Sequence, residues 1–196
     1  MPKYKKLPPP EVLKVHGFES LKLGWYKTRE PDAEVTPEDT LLHVSHENFK
    51  RKLSWFKNGK LHREDGPAES IANISEKWFF NGLLHRDDGP AETGDGAKWF
   101  HHGELHRVGG PALITDHKMV WYLHGDIHRE DGPAVEFKDG SYFAWYKHGF
   151  LHREGGPAVH NPLSKKGLAW YIDGKRIEIE TQEECDVILK IRRNGV

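Results

Sequence analysis

The sequence predicts an all-β protein: tandem stacked β-hairpin repeats forming an elongated antiparallel single-layer sheet, with a short C-terminal capping helix. Three observations predict it. First, one phrase recurs between Trp55 and Ala158: Trp, Phe or Tyr, any residue, Asn or His, Gly, any residue, Leu or Ile, His, Arg, two more residues, then Gly-Pro-Ala. It opens at Trp55, Trp78, Trp99, Trp121 and Trp145, and a shortened sixth copy, Trp170-Tyr171-Ile172-Asp173-Gly174-Lys175, lacks His-Arg and Gly-Pro-Ala. Successive Trp residues lie 23, 21, 22, 24 and 25 positions apart. A period in the twenties marks stacked repeats, each one supersecondary unit that needs its neighbours. Second, hydrophobic residues make up only 36% of the chain, against ~45–50% in an ordinary globular domain, which suits a thin protein burying a narrow seam. Third, every full phrase carries two turn signals at fixed places.

Taken in chain order, residues 1–12 are basic and then proline-rich (Pro8-Pro9-Pro10) and are expected to form a mobile tail. Residues 13–54 are expected to be an N-terminal cap. Trp25-Tyr26-Lys27 begins a degenerate hairpin there, and residues 29–39 are an insertion ahead of Leu41-Leu42-His43. Residues 55–180 hold the five full repeats and the degenerate one. The first turn of each is Asn58-Gly59, Asn81-Gly82, His102-Gly103, His124-Gly125 or His148-Gly149, with Asp173-Gly174 in the short copy. A two-residue type I′ hairpin needs positive φ at both central positions, where Asn, Asp and His are the tolerated non-glycine residues. That turn would set Phe56 opposite Leu61 and Trp55 opposite His62; a glycine bulge would instead set Trp opposite Leu. The second turn is the acidic-or-Gly-Gly-Pro segment, expected to demand permissive backbone at its Gly, with Pro at a strand start or edge. Strands are expected over each Trp-Phe/Tyr and each Leu-His-Arg segment. An isolated hairpin is marginal in water, so stacking must bury the aromatic pair of each unit, with the Ala leaving room. Residues 181–196 carry a capping box, Thr181-Gln182-Glu183-Glu184, then Cys185, Ile188 and Leu189 at helical spacing. Lys190, Arg192 and Arg193 match the dipole of the last turn, and Asn194-Gly195 is a stop signal.

The stretch Trp-Phe/Tyr-x-Asn-Gly-x-Leu-His, with Asp139-Gly140-Ser141-Tyr142 ahead of Trp145, resembles the MORN-type repeat. The closer likeness is to its His-Arg-x-x-Gly-Pro-Ala variant in proteins of large DNA viruses and bacteriophages. The resemblance covers about residues 55–175. It implies stacked hairpins in a grooved single-layer sheet, serving as a scaffold or dimerisation module. Lipid binding has been proposed for such repeats. Here acidic-Gly-Pro-Ala stands where the usual Gly-x-Gly would be, so a lipid role is not expected.

Charge and cysteine usage exclude several classes. A formal net charge of −1 draws the chain neither to nucleic acid nor to an anionic membrane. The single Cys185 forbids an intramolecular disulfide and suits a reducing compartment. No 18-residue apolar run and no apolar signal region occur, so a cytoplasmic location is expected, host cytoplasm or virion if the chain is viral. No Gly-rich phosphate loop, nucleophile elbow or Cys pair is present, and no cofactor or catalytic residue is expected.

Two residue rows invite function. The His row (His62, His85, His106, His128, His152) reads as imidazoles packed beside Trp and bonded to a backbone or acidic group. His102/His106, His124/His128 and His148/His152 have ligand-like spacing, but Asn58 and Asn81 take the first position in two repeats, so the phrase requires no metal. The Arg row (Arg63, Arg86, Arg107, Arg129, Arg153) offers a ladder for phosphate or acidic peptide. Its alternative is ion pairing with Glu64, Asp87, Glu130, Glu154 or the following Asp. The third repeat has Val108-Gly109-Gly110 instead, which singles out Arg107. Phe150 stands where other copies place Lys60, Leu83, Glu104 and Asp126, a large apolar residue at a turn flank; it either anchors an interface or folds back over Tyr146. Trp55, Trp78, Trp99, Trp121, Trp145 and Trp170 form the structural repeat core. His43-Val44-Ser45-His46-Glu47 matches no metalloprotease motif and reads as a surface loop.

The expected function is a non-enzymatic repeat protein, viral or phage by resemblance, acting as a protein-binding or scaffold module. Its partner is another protein, and self-association is open. One alternative is a virus-encoded antagonist that binds and blocks a host defence protein, which a partner screen would separate. A lipid-surface module would show itself by vesicle co-sedimentation. A metal-dependent hydrolase using His43, His46 and Glu47 would show itself by elemental analysis.

Overall fold

The computed structural model describes residues 24–27, 41–47, 50–164, 167–179 and 181–193. The expected tail at 1–12, the insertion at 29–39 and the Asn194-Gly195 stop lie outside these residues. Two compact units are present, Met1–Gly103 and Glu104–Val196. Strands dominate both, all pairings are antiparallel, and the described residues hold a single helix, Gln182–Arg193.

In the first unit, Gly24–Lys27 pairs with Leu41–Glu47, and that strand pairs with Lys50–Lys57 from Leu41↔Phe56 to Glu47↔Lys50. The degenerate hairpin begun at Trp25 is therefore present. The expected loop at residues 43–47 is instead part of a strand. A neighbouring eight-residue strand with a Leu53-Ser54-Trp55-Phe56 end supplies a full ladder of backbone partners, and an unpaired loop there would forgo them. Lys50–Lys57 pairs on its other side with Glu69–Ile71, and Ser75–Lys77, Glu92–Gly94 and Gly96–Lys98 follow in order. Phe79–Phe80 and Leu83–Leu84 form a separate two-stranded hairpin.

The second unit repeats the plan. Leu113–Ile114, Lys118–Val120, Val135–Phe137, Phe143–Ala144, Val159–His160 and Leu168–Ile172 pair in sequence, and Lys175–Ile177 closes the short copy. Tyr122–Leu123 with Asp126–Ile127, and Tyr146–Lys147 with Phe150–Leu151, are its small hairpins. A repeat such as the second or the fourth thus makes two things, a pair of short strands in a sheet and a small hairpin beside it, whereas in the first and the short copy one strand serves both, Lys50–Lys57 and Leu168–Ile172.

Backbone torsions decide the register. Asn58, Asn81, His102, His124, His148 and Asp173 have φ of 48–53°, and each following Gly is also positive, the type I′ signature. Phe56 accordingly pairs with Leu61, Tyr122 with Ile127 and Tyr146 with Leu151. The strands end at Leu or Ile, short of the expected Leu-His-Arg, because the chain there changes partner. His62 donates its backbone N–H to Trp55 of its own hairpin at 3.0 Å, whereas Arg63 donates to Phe79 of the next at 3.2 Å.

Alanine fills the narrowest point. Ala68, Ala91, Ala112, Ala134 and Ala158 are fully buried, and the carbonyls of Ala68, Ala91, Ala134 and Ala158 accept the Trp N–H of the same repeat at 2.7–2.8 Å. The helix begins on the expected capping box: Thr181 Oγ1 accepts from Glu184 N–H at 3.3 Å and Glu184 Oε2 from Thr181 N–H at 3.2 Å. Cys185 is buried, Ile188 and Leu189 are half-buried, and Gln182 Nε2 donates to the Glu154 carbonyl at 3.2 Å. These contacts tie the helix to the last full repeat.

Candidate functional site

The histidine row joins one hairpin to the next. Asn81, His102, His124 and His148 each donate a backbone N–H to Nδ1 of His62, His85, His106 and His128, at 3.1, 3.2, 3.1 and 3.1 Å. An Nδ1 that accepts leaves the proton on Nε2, and the carboxylate two residues on lies on that side. Glu64 Oε1 is 3.2 Å from His62 Nε2, Asp87 Oδ1 is 3.6 Å from His85 Nε2, and Glu130 Oε1 is 3.9 Å from His128 Nε2. So both groups expected around the imidazole, backbone and acid, are there, one on each nitrogen. The hydrogen bond from His62, with the nearby Lys57, holds the Glu64 carboxyl below the ordinary value. Burial, followed in effect by His102 and His101 and opposed by Asp87, holds His85 below the usual imidazole range. At His152 the arrangement differs, for Asp173 brings both its N–H (3.2 Å) and a carboxylate oxygen (2.9 Å) to Nδ1.

Four arginines of the row lie over tryptophan. The guanidinium carbons of Arg63, Arg86, Arg129 and Arg153 sit 4.0–4.2 Å from the ring centroids of Trp55, Trp78, Trp121 and Trp145, a cation–π geometry. Arg63, Arg86 and Arg129 donate Nε–H to Asp65, Asp88 and Asp131 at 2.7–2.9 Å, and this contact holds Asp88 and Asp131 below the ordinary carboxylate range. The ion-pair partner of arginine is thus the second acid of each pair, and the first faces histidine. All five arginines also donate Nη1–H to the carbonyl of the Pro four residues on, at 3.1–3.5 Å, Arg107 to Pro111 among them.

This placement corrects the expected role of the Gly in Gly-Pro-Ala. Of Gly66, Gly89, Gly110, Gly132 and Gly156, only Gly156 has positive φ. A Cβ on Gly66, Gly89, Gly110 or Gly156 would lie 2.6–3.1 Å from the guanidinium carbon of its repeat's Arg, and one on Gly132 would meet Arg129 in the same way. Glycine stands there to let arginine lie between backbone and indole. The relation joins residues that sequence reading treated separately, and the constant spacing from Arg to Gly was its visible trace.

What the repeated letters leave outward is the residue after each tight turn. In the first unit Lys60 packs its stem against Gly82 and Leu83 rests on Gly103; in the second, Glu104 lies against Gly125, Asp126 against Gly149 and Phe150 against Gly174. Phe150 is 61% exposed. Its cross-strand neighbour is Lys147, and it leans on the next turn, away from Tyr146. His43 and His46 lie on the strand Leu41–Glu47. Among the described residues one grouping does offer three ligand nitrogens, His85, His101 and His102.

No protein-family model, curated protein or solved structure matches the chain.

Proposed function

We propose that the chain is a non-enzymatic protein-binding or scaffold module of MORN-like repeats, of viral or phage origin and working in the cytoplasm or virion, and that recognition resides in the residues following the tight turns. The observation that carries this reading is the division of labour within the phrase. His joins hairpins, Arg covers Trp, Gly admits Arg and Ala fills the seam, so the repeated letters are occupied inside the fold. The five post-turn positions share one backbone setting, yet hold Lys, Leu, Glu, Asp and Phe, and each is exposed. Constant scaffold with variable outward chemistry is how repeat proteins read an extended partner. An aromatic that is mostly solvent-facing is the natural anchor. Among the described residues no helix is long and apolar enough to cross a membrane.

Phe150→Ala tests it. The expected outcome is an unfolding free energy within about 0.5 kcal/mol of the parent, as for other surface changes. Self-association or partner capture should weaken by more than about 1 kcal/mol, measured by sedimentation and by affinity purification from host lysate with parent and variant side by side. A variant that melts markedly earlier would place Phe150 in the core, and one that associates as before would remove it from the interface.

A further inference from the structure

We propose that His85, His101 and His102 form a site for a borderline divalent transition ion, zinc in the first instance, at the tight turn of the third repeat. One ligand nitrogen from each residue lies within 4.8 Å of the other two. Around a tetrahedral ion with Zn–N near ~2.05 Å the nitrogens stand roughly 3.3 Å apart, so closure asks for a movement of about an ångström and a half. His101 and His102 are exposed and His85 is half-buried, so the movement falls on the two exposed side chains. The rings already lie close together: His85 stacks on His102 with centroids 4.3 Å apart and planes 11° from parallel, and His101 lies 5.0 Å from His85 and 4.4 Å from His102; because imidazole lone pairs lie in the ring plane, ligation also asks His102 to turn out of the stack.

The sequence context separates this grouping from the rest of the histidine row. His102 holds the turn position, which His124 and His148 also hold, and positive φ accounts for it. His101 has no such reason. It sits on the strand Phe100–His101, where the other copies carry Lys57, Phe80, Leu123, Lys147 and Ile172. Only the third repeat places imidazoles at both positions, beside the row histidine of the repeat before.

Asp87 stands 3.6 Å from His85 Nε2. With Nδ1 of His85 on the ion, that carboxylate is placed to take the Nε2 proton as an outer-shell partner. Ligation through Nδ1 displaces the N–H of His102, now 3.2 Å away. Ligation through Nε2 would put the proton on Nδ1 and face the same N–H. Either way the ion competes with the hydrogen bond between two hairpins, which predicts reversible binding.

The test is calorimetric titration of untagged, chelator-treated full-length protein with Zn²⁺, and separately Ni²⁺, at pH 7.5. One saturable site is expected. His101→Lys installs the residue that positions 57 and 147 already carry, and His102→Asn the one at positions 58 and 81, so both variants suit the fold. Each should weaken binding by more than about a hundredfold, beyond the ~10–100-fold that loss of an outer-shell partner costs, while His124→Asn leaves it unchanged. Absence of a saturable site in the parent overturns the proposal. So does equal affinity in His101→Lys, which would mean scattered binding to the chain's many histidines.

Discussion

At the scale of single residues, the sandwich of Trp, Arg and Gly is the most informative arrangement. Trp55 is buried beneath Arg63, whose guanidinium also reaches Asp65 and the Pro67 carbonyl. Gly66→Ala would put a Cβ 2.6 Å from the Arg63 guanidinium carbon. The far end of a long side chain can swing away, so the cost is the loss of its contacts and not a rigid clash. Cation–π and exposed ion-pair contributions are each about 0.5–1 kcal/mol. Against this, Gly→Ala at a compatible position stabilises by about 0.5 kcal/mol through the unfolded chain. The expected net loss is about 1 kcal/mol. In an Arg63→Ala background the sign should reverse, with Gly66→Ala neutral or stabilising. A denaturant double-mutant cycle measures this, and equal costs in both backgrounds would show that the glycine answers to backbone alone. Gly155→Ala, with no atom within 4 Å of the added Cβ, serves as the control and should shift stability by less than about 0.5 kcal/mol.

Between elements, the joints are three hydrogen bonds each. From the first hairpin to the second they are Gly82 N–H to Leu61 O at 2.8 Å, Arg63 N–H to Phe79 O at 3.2 Å and Asn81 N–H to His62 Nδ1 at 3.1 Å. The corresponding bond of the next joint, His102 N–H to His85 Nδ1 at 3.2 Å, is the acid-sensitive one, because protonation turns the acceptor nitrogen into a donor facing another donor. His85 shows the sign: burial holds its folded value below the usual imidazole range, so the unfolded chain binds more protons on descending through that range. This stability is full above about pH 6.5 and is lost as pH falls below it toward the folded value. Asp88 and Asp131, also lowered, act in the same direction but only in the more acidic carboxylate range. Urea midpoints should therefore be lower at pH 5.5 than at pH 7.5, and equal midpoints would contradict the acceptor role of Nδ1. Much of this joint was legible beforehand. The turn type followed from which residues tolerate positive φ, and the pairing of His with backbone and acid followed from its chemistry. What could not be read was which nitrogen met which partner, because that depends on the neighbouring repeat's main chain, and main-chain donors look alike in every residue but proline. The strand at Leu41–Glu47 was missed for a related reason: His43-Val44-Ser45-His46-Glu47 has weak alternation, and its pairing with Lys50–Lys57 is tertiary.

For the molecule as a whole, every joint between hairpins described here links like to like, so a repeat's neighbours need only be other repeats. Deleting Trp78 through Lys98 would bring Trp99 behind Lys77, with His102 N–H, Gly103 N–H and Phe100 O arriving where Asn81, Gly82 and Phe79 had been. The shortened chain should keep a strand-rich circular dichroism spectrum and unfold cooperatively, with a smaller denaturant slope because less surface is exposed. Loss of the cooperative transition would show that the second repeat contributes something its neighbours lack. The repeated hairpins and the capping box were readable at this scale, since periodicity survives any uncertainty about individual contacts; the aromatic core was not, for Trp55 and Trp170 are buried but Trp78, Trp99, Trp121 and Trp145 only half-buried. The placement of small hairpins such as Phe79–Phe80 with Leu83–Leu84 in sheets of their own was not, because the same alternation serves a strand in either setting.

The bond from histidine to the turn has one further consequence, for inheritance. The imidazole reads a main-chain N–H, so the residue that owns it is free to change: Asn, His and Asp all occupy that place. No compensating substitution is needed in the adjoining copy, and the two positions can drift independently. A gene encoding such a chain can gain or lose a copy by unequal exchange, and the new junction is sound at birth. Copy number then becomes a trait on which selection acts directly, ahead of any refinement of the letters within a copy.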